Sequence, residues 1–192
     1  MVLQKSNYDA VEAAAKIILN EGIVILPTDT VYGFSGLVPV SKNKIMNLKK
    51  RESSKDFIRL IAEPSCIFRY TDSIIPQHIL NLWPCPLTLI VNLRGEEGTC
   101  AFRCPDDKWL RNLIKKAGGQ IYSTSVNYSG EPVFTDIKEI ISEFESKVDL
   151  IIDGGDLKGE ASTILDITCT EPKILRTGAV SQISLSLFKA AK

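Results

Sequence analysis

The stretch that decides the fold runs from Ile23 to Gly36 and reads IVILPTDTVYGFSG. Its first four residues are apolar and rich in β-branched side chains, which predicts a short buried strand. Pro27 lacks a backbone donor and ends that strand, and Thr28, Asp29 and Thr30 follow at once. Polar side chains beside glycines at the end of a buried strand are a frequent place for a small-molecule site. An ordinary strand and turn is the alternative interpretation.

Length, composition and charge narrow the class of protein. The chain has 192 residues, 44% of them hydrophobic and 24% charged, with 23 basic and 23 acidic side chains. These values predict a single globular domain over residues 1–192 and give no globally basic surface for nucleic acid. The N-terminus lacks the pattern of a signal peptide, and no apolar run has the length of a membrane span. A cytoplasmic location without membrane contact is therefore expected.

Several common catalytic and metal-binding patterns do not occur in the sequence. There are five cysteines and one histidine, His78, and Cys100 and Cys104 form the only close cysteine pair. This set predicts thiols in a reducing compartment and no zinc site or other metal site. The chain also lacks the phosphate-binding loop, the dinucleotide fingerprint and the nucleophile elbow, so chemistry based on a nucleophilic triad is not expected.

Hydrophobic spacing predicts helices and strands that alternate along the whole chain. The predicted helices are Tyr8–Asn20, Asn43–Lys50, Pro76–Leu82, Lys108–Ala117 and Asp136–Phe144, with a short helical or looped piece at Pro64–Tyr70. The predicted strands are Ile23–Leu26, Phe57–Ala62, Leu87–Leu93, Thr99–Arg103, Ile121–Ser125, Val148–Ile152, Thr163–Thr168 and Lys173–Arg176. This alternation predicts an α/β fold, and the irregular spacing of the strands favours a mixed sheet over a purely parallel one.

Polar and cationic side chains cluster at or near the ends of several predicted elements. Lys49, Lys50 and Arg51 lie at the end of a predicted helix, with Lys55 close behind, and could bind phosphates or simply form a solvated helix end. Hydroxyl, amide and guanidinium groups near other strands are carried by Ser123–Gly130, Arg103, Ala161–Thr163 and Leu175–Gly178. Each signal is weak alone, but their convergence predicts one polar cavity.

The same segments, taken in order, resemble the Sua5/YrdC/YciO family. The matching blocks are Leu26–Phe34, Lys49-x-Arg51, Trp83–Thr88, Phe102–Pro105, Ser123–Asn127 with Ser129-Gly130, Asp149–Gly155, Ser162–Asp166 and Leu175–Gly178. They cover nearly the whole chain, and the chain resembles the single-domain form. The resemblance implies a YrdC-like fold, which is a twisted α/β sheet with flanking helices and a large open cavity.

The resemblance also implies an activity. Family members are threonylcarbamoyl-AMP synthases, nucleotidyltransferases that join L-threonine, bicarbonate or CO2 and ATP, with Mg²⁺ on the triphosphate. Partner proteins then transfer the threonylcarbamoyl group to adenosine 37 of tRNA. The positions that match amino-acid-binding residues are Thr28, Arg103, Ser123 and Ser162. The positions expected at the nucleotide are Lys49, Arg51, Thr99, Ser125, Asn127 and Arg176, with Lys49 and Arg51 as the catalytic cations.

This chain departs from the family pattern at several positions, which keeps other functions open. Glu52, Asp56, Cys85, Val126 and Thr177 stand where the family usually has other residues, and the region around Phe57 resembles the YciO branch. The alternatives are a module that binds tRNA or double-stranded RNA without synthase activity, and a subunit that binds nucleotide without turnover. The cations considered for RNA are Lys42, Lys44, Lys49, Lys50, Arg51, Lys55 and Arg59.

Overall fold

The structure is a computed structural model that describes residues 1–51, 56–169 and 171–180. The sequence features at Glu52 and Lys55 lie outside these residues. Within the described residues, no helix combines the length and the apolar character needed to cross a membrane.

A single ten-stranded sheet organises the described chain, in the order β1-β8-β2-β3-β7-β4-β6-β5-β9-β10. The strands are β1 (Val2–Gln4), β2 (Val24–Leu26), β3 (Gly33–Leu37), β4 (Ile58–Ile61), β5 (Leu87–Asn92), β6 (Thr99–Arg103), β7 (Gln120–Ser125), β8 (Leu150–Asp153), β9 (Thr163–Asp166) and β10 (Lys173–Arg176). β2 pairs parallel with β8 and antiparallel with β3, and both kinds of pairing recur along the sheet. The predicted mixed α/β sheet is therefore confirmed.

In the part of the chain that the structure describes, five α-helices and one 3-10 segment connect the strands. They are α1 (Ala10–Leu19), α2 (Lys42–Leu48), α3 (Gln77–Leu80), α4 (Lys108–Lys116), α5 (Ile137–Phe144) and the 3-10 segment Pro64–Arg69. The predicted helices correspond to these elements, with boundaries that differ by one or two residues. Helices α1 and α4 pack together against β2, β4, β7 and β8 through a buried aliphatic cluster. A second cluster joins α5 to the other side of β2, β3 and β8.

Two strands were missed because their sequences lack the usual strand signal. β1 is only three residues long, and β3 contains Gly33, Ser35 and Gly36 in five positions, a composition that weakens strand propensity. The glycines are nevertheless required there, because a Cβ on Gly33 would lie 2.6 Å from Ser123 Oγ and one on Gly36 would lie 2.6 Å from Ser41 Cβ. The ladders to β2 and β7 hold this glycine-rich segment in the sheet.

Strand register brings distant polar residues onto one surface. Leu60, Arg103, Thr88, Ile164 and Arg176 are successive direct partners across β4, β6, β5, β9 and β10. Residues directly opposite each other in a sheet project to the same face. Arg103 and Arg176 therefore share a face although more than seventy residues separate them in sequence.

The N-cap of α4 provides a test of how this helix is anchored. Asp107 accepts a hydrogen bond from Leu110 N at 3.1 Å and pairs with Lys5 Nζ at 2.5 Å. Asp107→Ala should lower the free energy of unfolding by about 1–2 kcal/mol, and Asp107→Asn should lose less because asparagine also caps. Urea denaturation measures both changes.

The matched control is Asp9→Ala, because Asp9 occupies the N-cap position of α1 without a side-chain cap hydrogen bond. Its expected loss is below about 0.5 kcal/mol. Equal losses for Asp9→Ala and Asp107→Ala would contradict the anchoring role of Asp107.

Candidate functional site

A cavity of about 310 Å³ lies over the face of the sheet that carries Arg103 and Arg176. Its lining combines three guanidinium groups, several hydroxyl groups and a floor of aliphatic and aromatic side chains. The lining residues are Thr28, Thr30, Val31, Tyr32, Gly33, Arg51, Asp56, Phe57, Ile58, Leu60, Arg103, Ser123, Thr124, Ser125, Val133, Ala161, Ser162, Ile164 and Arg176. Such a lining fits a ligand that carries both negative charge and hydrogen-bonding groups.

The turn after β2 forms one wall and is held by its own threonines. Thr28 Oγ1 donates to Val31 O at 2.7 Å and accepts from Thr30 N at 3.1 Å. Tyr32 Oη donates to Gly155 O at 2.8 Å and accepts from Gly154 N at 2.9 Å, which joins this wall to the loop after β8. Burial raises the pKa of Tyr32 to about 12, so its hydroxyl stays protonated and can keep donating.

Arg103 at the end of β6 is buried and already has protein partners. Its Nη1 donates to Thr30 Oγ1 at 2.9 Å, and its Nη2 lies 3.2 Å from Asp29 Oδ1. Asp29 in turn accepts from Asp106 N at 3.0 Å. Arg103 Nε is buried without a hydrogen-bond partner in the described residues. Burial lowers the pKa of Arg103 although Asp29 acts in the opposite direction, and an incoming anion would relieve this unfavourable burial.

A second wall is formed by Ser162 and Arg176. Arg176 donates from Nε and Nη2 to Ser162 O at 3.0 and 2.8 Å, and from Nη2 to Ser162 Oγ at 3.1 Å. The Ser162 hydroxyl also shares a 2.8 Å hydrogen bond with Thr88. These contacts hold the Arg176 guanidinium against the cavity although the residue itself is exposed.

A buried lysine supports the third wall from behind. Lys49 Nζ donates to Ser125 O at 2.6 Å, Asn127 O at 3.0 Å and Asn127 Oδ1 at 2.7 Å. Asn127 Oδ1 also accepts from Ser125 Oγ at 2.7 Å. Lys49 therefore fixes the end of β7 through carbonyl oxygens. Burial, with the nearby charge of Arg51 as the smaller cause, lowers the pKa of Lys49 to about 8.

The predicted site residues separate into three groups. Seven line the cavity: Thr28, Arg51, Arg103, Ser123, Ser125, Ser162 and Arg176. Lys49 and Asn127 lie behind the wall and contact its backbone. Thr99 is exposed at the far end of β6 and is not among the lining residues. It is four residues from Arg103, which is about 13 Å along a strand.

Sequence reasoning missed several residues that complete the site. Thr30 and Tyr32 line the cavity, and Thr88 supports Ser162 from within β5. The first two belong to the quoted opening stretch, where Thr30 is the last of three consecutive polar residues, but nothing local distinguished their roles. Thr88 could be found only from its register opposite Arg103.

The cations considered for RNA binding are largely engaged within the protein. Lys42 and Arg59 pair with Asp56 at 3.1 and 3.2 Å, and Lys44 Nζ donates to Glu21 O at 2.7 Å. The Lys50 ammonium lies 4.4 Å from the centre of the Tyr128 ring. Together with buried Lys49, five of the seven cations considered thus have partners within the described protein.

Comparison with known proteins identifies the relatives of this arrangement. The family model Sua5_yciO_yrdC, described as telomere recombination, matches residues 16–178. The threonylcarbamoyl-AMP synthase of Pyrococcus abyssi is 30% identical over 188 residues, which cover 88% of this chain and 54% of that protein. The enzyme of the same name from Idiomarina loihiensis is 32% identical over 156 residues, covering 73% and 83%. The chain thus spans about half the length of the archaeal relative.

Solved structures show the same fold. The structure of P. abyssi Sua5 complexed with L-threonine superposes with a TM-score of 0.87 at 27% identity, covering 98% of this chain and 60% of that one. E. coli YciO superposes with a TM-score of 0.83 at 22% identity, covering 96% of both chains. The twisted mixed sheet with flanking helices is therefore shared with these proteins.

The burial of Lys49 predicts a specific dependence of stability on pH. Its pKa of about 8 in the folded protein lies below the ordinary value of about 10.4, so the unfolded chain binds more protons between these pH values. The free energy of unfolding of the wild type minus that of Lys49→Met should therefore rise between pH 8 and 10.5, by up to about 3 kcal/mol. Denaturation at several pH values measures this difference, in which other titrating groups cancel, and a flat difference would contradict the assignment.

Proposed function

The chain belongs to the Sua5/YciO/YrdC family, and we propose that it is a threonylcarbamoyl-AMP synthase that acts in the modification of tRNA adenosine. The substrates are L-threonine, bicarbonate or CO2, and ATP bound to Mg²⁺. The observation that carries the proposal is the convergence of Arg51, Arg103 and Arg176 on one cavity with the four predicted hydroxyl side chains, Thr28, Ser123, Ser125 and Ser162. The threonylcarbamoyl-AMP synthase names of the relatives and the threonine complex of a structural neighbour support the same reaction.

The amino acid is proposed to bind beside Arg103. Its carboxylate would accept from the guanidinium, including the buried Nε that has no partner in the described residues. Asp29 keeps the guanidinium in place and balances its charge, so a zwitterionic amino acid would suit the pocket better than a dianion. The hydroxyl groups of Thr28, Ser123 and Ser162 line the same space and would complete the hydrogen bonds.

The nucleotide is proposed to place its phosphates between Arg51 and Arg176. Both guanidinium groups line the cavity, and Ser125 lines it as well. Lys49 and Asn127 would act by fixing Ser125 from behind. The described residues contain no group of three or more carboxylate, cysteine or histidine side chains that could hold a metal, so we assign the Mg²⁺ to the phosphates of ATP.

The reaction needs positioning and charge stabilisation more than a protein nucleophile. The threonine amine adds to CO2 and loses a proton to give a carbamate, whose oxygen attacks the α-phosphorus while pyrophosphate leaves. Negative charge grows on the leaving phosphates, where fixed guanidinium groups stabilise it. Holding the carbamate in line with the α-phosphate supplies the remaining rate enhancement. Partner proteins would then take the threonylcarbamoyl group to tRNA.

Removal of the Arg176 guanidinium tests the nucleotide half of the proposal. Pyrophosphate release by the wild type should require ATP, threonine and bicarbonate together. Arg176→Ala should lower kcat by about a hundredfold or more, as expected for the loss of one fixed charge at the transition state. Arg94→Ala is the control, because Arg94 forms a surface ion pair with Asp72. Release that is unchanged in Arg176→Ala, or steeply salt-dependent RNA binding without adenylate formation, would contradict the proposal.

The Arg103 ion pair tests the amino-acid half. Arg103→Lys keeps the charge but loses the planar fork, and Asp29→Asn removes the group that orients it. Both variants should raise the KM for threonine by about tenfold or more, the size of one charge-assisted hydrogen bond, with little change in the KM for ATP. Thermal unfolding shows whether the variants fold. An equal rise in both KM values would argue against an amino-acid pocket at Arg103.

A further inference from the structure

Phe57 places an aromatic ring against the guanidinium of Arg51. The Arg51 guanidinium carbon lies 5.2 Å from the centre of the Phe57 ring, and both residues line the cavity. Phe57 itself is only 2% exposed, so the ring is a fixed part of the wall. A guanidinium within about 6 Å of a ring centre is attracted by the negative face of the π system.

Neighbouring aromatic and cationic side chains hold the Phe57 ring in place. Phe57 packs edge-to-face on Tyr122, with ring centres 5.8 Å apart. Arg59 lies 6.0 Å from the Tyr122 ring and 5.9 Å from the Phe102 ring, and these three residues are direct partners across β7, β4 and β6. Asp56 fixes Arg59 through a 3.2 Å ion pair. The Phe57 ring therefore rests on sheet residues whose positions are set by register.

The backbone fixes where the Arg51 side chain begins. Lys50 has a φ of 50°, a left-handed conformation that turns the chain sharply after α2. Arg51 N then donates to Met46 O at 3.0 Å. The position of the Arg51 Cα atom is therefore defined. The side chain has five atoms from Cβ to the guanidinium carbon and can adopt several rotamers, which the Phe57 ring can restrict.

We propose that Phe57 is a positioning residue that holds the Arg51 guanidinium toward the phosphates of the bound nucleotide. This inference rests on the proposed function, because it names how that site orients one of its cations. Leucine at position 57 would fill similar space but would lack the ring quadrupole, so the guanidinium would sample other directions. The cost should appear in the binding of ligands that carry the outer phosphates, and less in the binding of AMP.

A double-mutant cycle on nucleotide affinity tests the proposal. Isothermal titration measures ATP and AMP binding to the wild type, Phe57→Leu, Phe57→Tyr, Arg51→Ala and Phe57→Leu/Arg51→Ala. Phe57→Leu should weaken ATP binding about three- to tenfold, the size of one cation–π contact, with AMP affinity nearly unchanged. Phe57→Tyr, which keeps the ring, should restore ATP affinity. In the Arg51→Ala background, Phe57→Leu should have no further effect on ATP binding.

Phe144→Leu is the matched control for the loss of a buried ring. Phe144 is fully buried and packs edge-to-face on Phe34 at 5.1 Å, but it does not line the cavity. Its substitution should leave ATP affinity unchanged. Equal losses for ATP and AMP in Phe57→Leu, or additive effects of Phe57→Leu and Arg51→Ala, would overturn the inference.

Chemical labelling separates this inference from the proposed function. The rate at which phenylglyoxal modifies Arg51, followed by peptide mass spectrometry, reports on the contact whether or not nucleotide binds. Arg51 should be labelled several-fold faster in Phe57→Leu than in the wild type, with Arg94 as the internal reference. If the wild type bound no ATP, the proposed function would fail. Independently of that result, equal rates of Arg51 labelling in Phe57→Leu and the wild type would overturn the contact with Phe57.

Discussion

The cavity depends on strand register across the right half of the sheet order, from β4 to β10. Arg103, Thr88 and Arg176 belong to one row of directly opposed residues, and a slip of one residue in any strand would turn its side chain to the other face. The register of the inner strands is fixed because the face opposite the cavity is buried: Leu89, Phe102 and Leu165 alternate with the polar row and pack in an apolar cluster of their own. The hydrophobic core on one face thus determines the position of the charged groups on the other.

The guanidinium groups of Arg103 and Arg176 and the ammonium group of Lys49 each lie beside oxygen atoms of the protein. Arg103 has Asp29 and Thr30, Arg176 has the carbonyl and hydroxyl oxygens of Ser162, and Lys49 has three oxygens of β7 and the residues after it. Only Arg103 is opposed by a carboxylate at ion-pair distance among these contacts. The cavity consequently keeps a net positive character suited to phosphate and carboxylate groups.

The sequence was sufficient for the fold class and for most of the lining, and insufficient for the roles of individual side chains. Apolar runs predicted the boundaries of β5, β6 and β10 to within one residue, because these strands are buried or bounded by turn residues. β3 could not be predicted because Gly33 and Gly36 have low strand propensity and are needed for their close approach to Ser123 and Ser41. Boundaries of α1 and α2 shifted because neither helix has a side-chain cap to mark its start.

The sequence also could not show that some of the predicted site residues lie away from the cavity. Lys49 and Arg51 are two positions apart in sequence, yet Lys49 turns inward to β7 while Arg51 reaches the cavity, since the left-handed turn at Lys50 separates their directions. Arg103 and Thr99 share one strand, but strand rise carries Thr99 about 13 Å away. Partners such as Asp29 and Thr88 depend on tertiary contacts, which neither spacing nor composition encodes.

We propose that one cavity joins an amino acid, inorganic carbon and a nucleotide. Incubation of the purified protein with ATP, L-threonine and ¹³C-labelled bicarbonate, followed by mass spectrometry of the nucleotide products, tests it most directly. We expect a threonylcarbamoyl-adenylate that carries a single ¹³C atom. Nucleotide products without the label, or none formed above the level without protein, would contradict it.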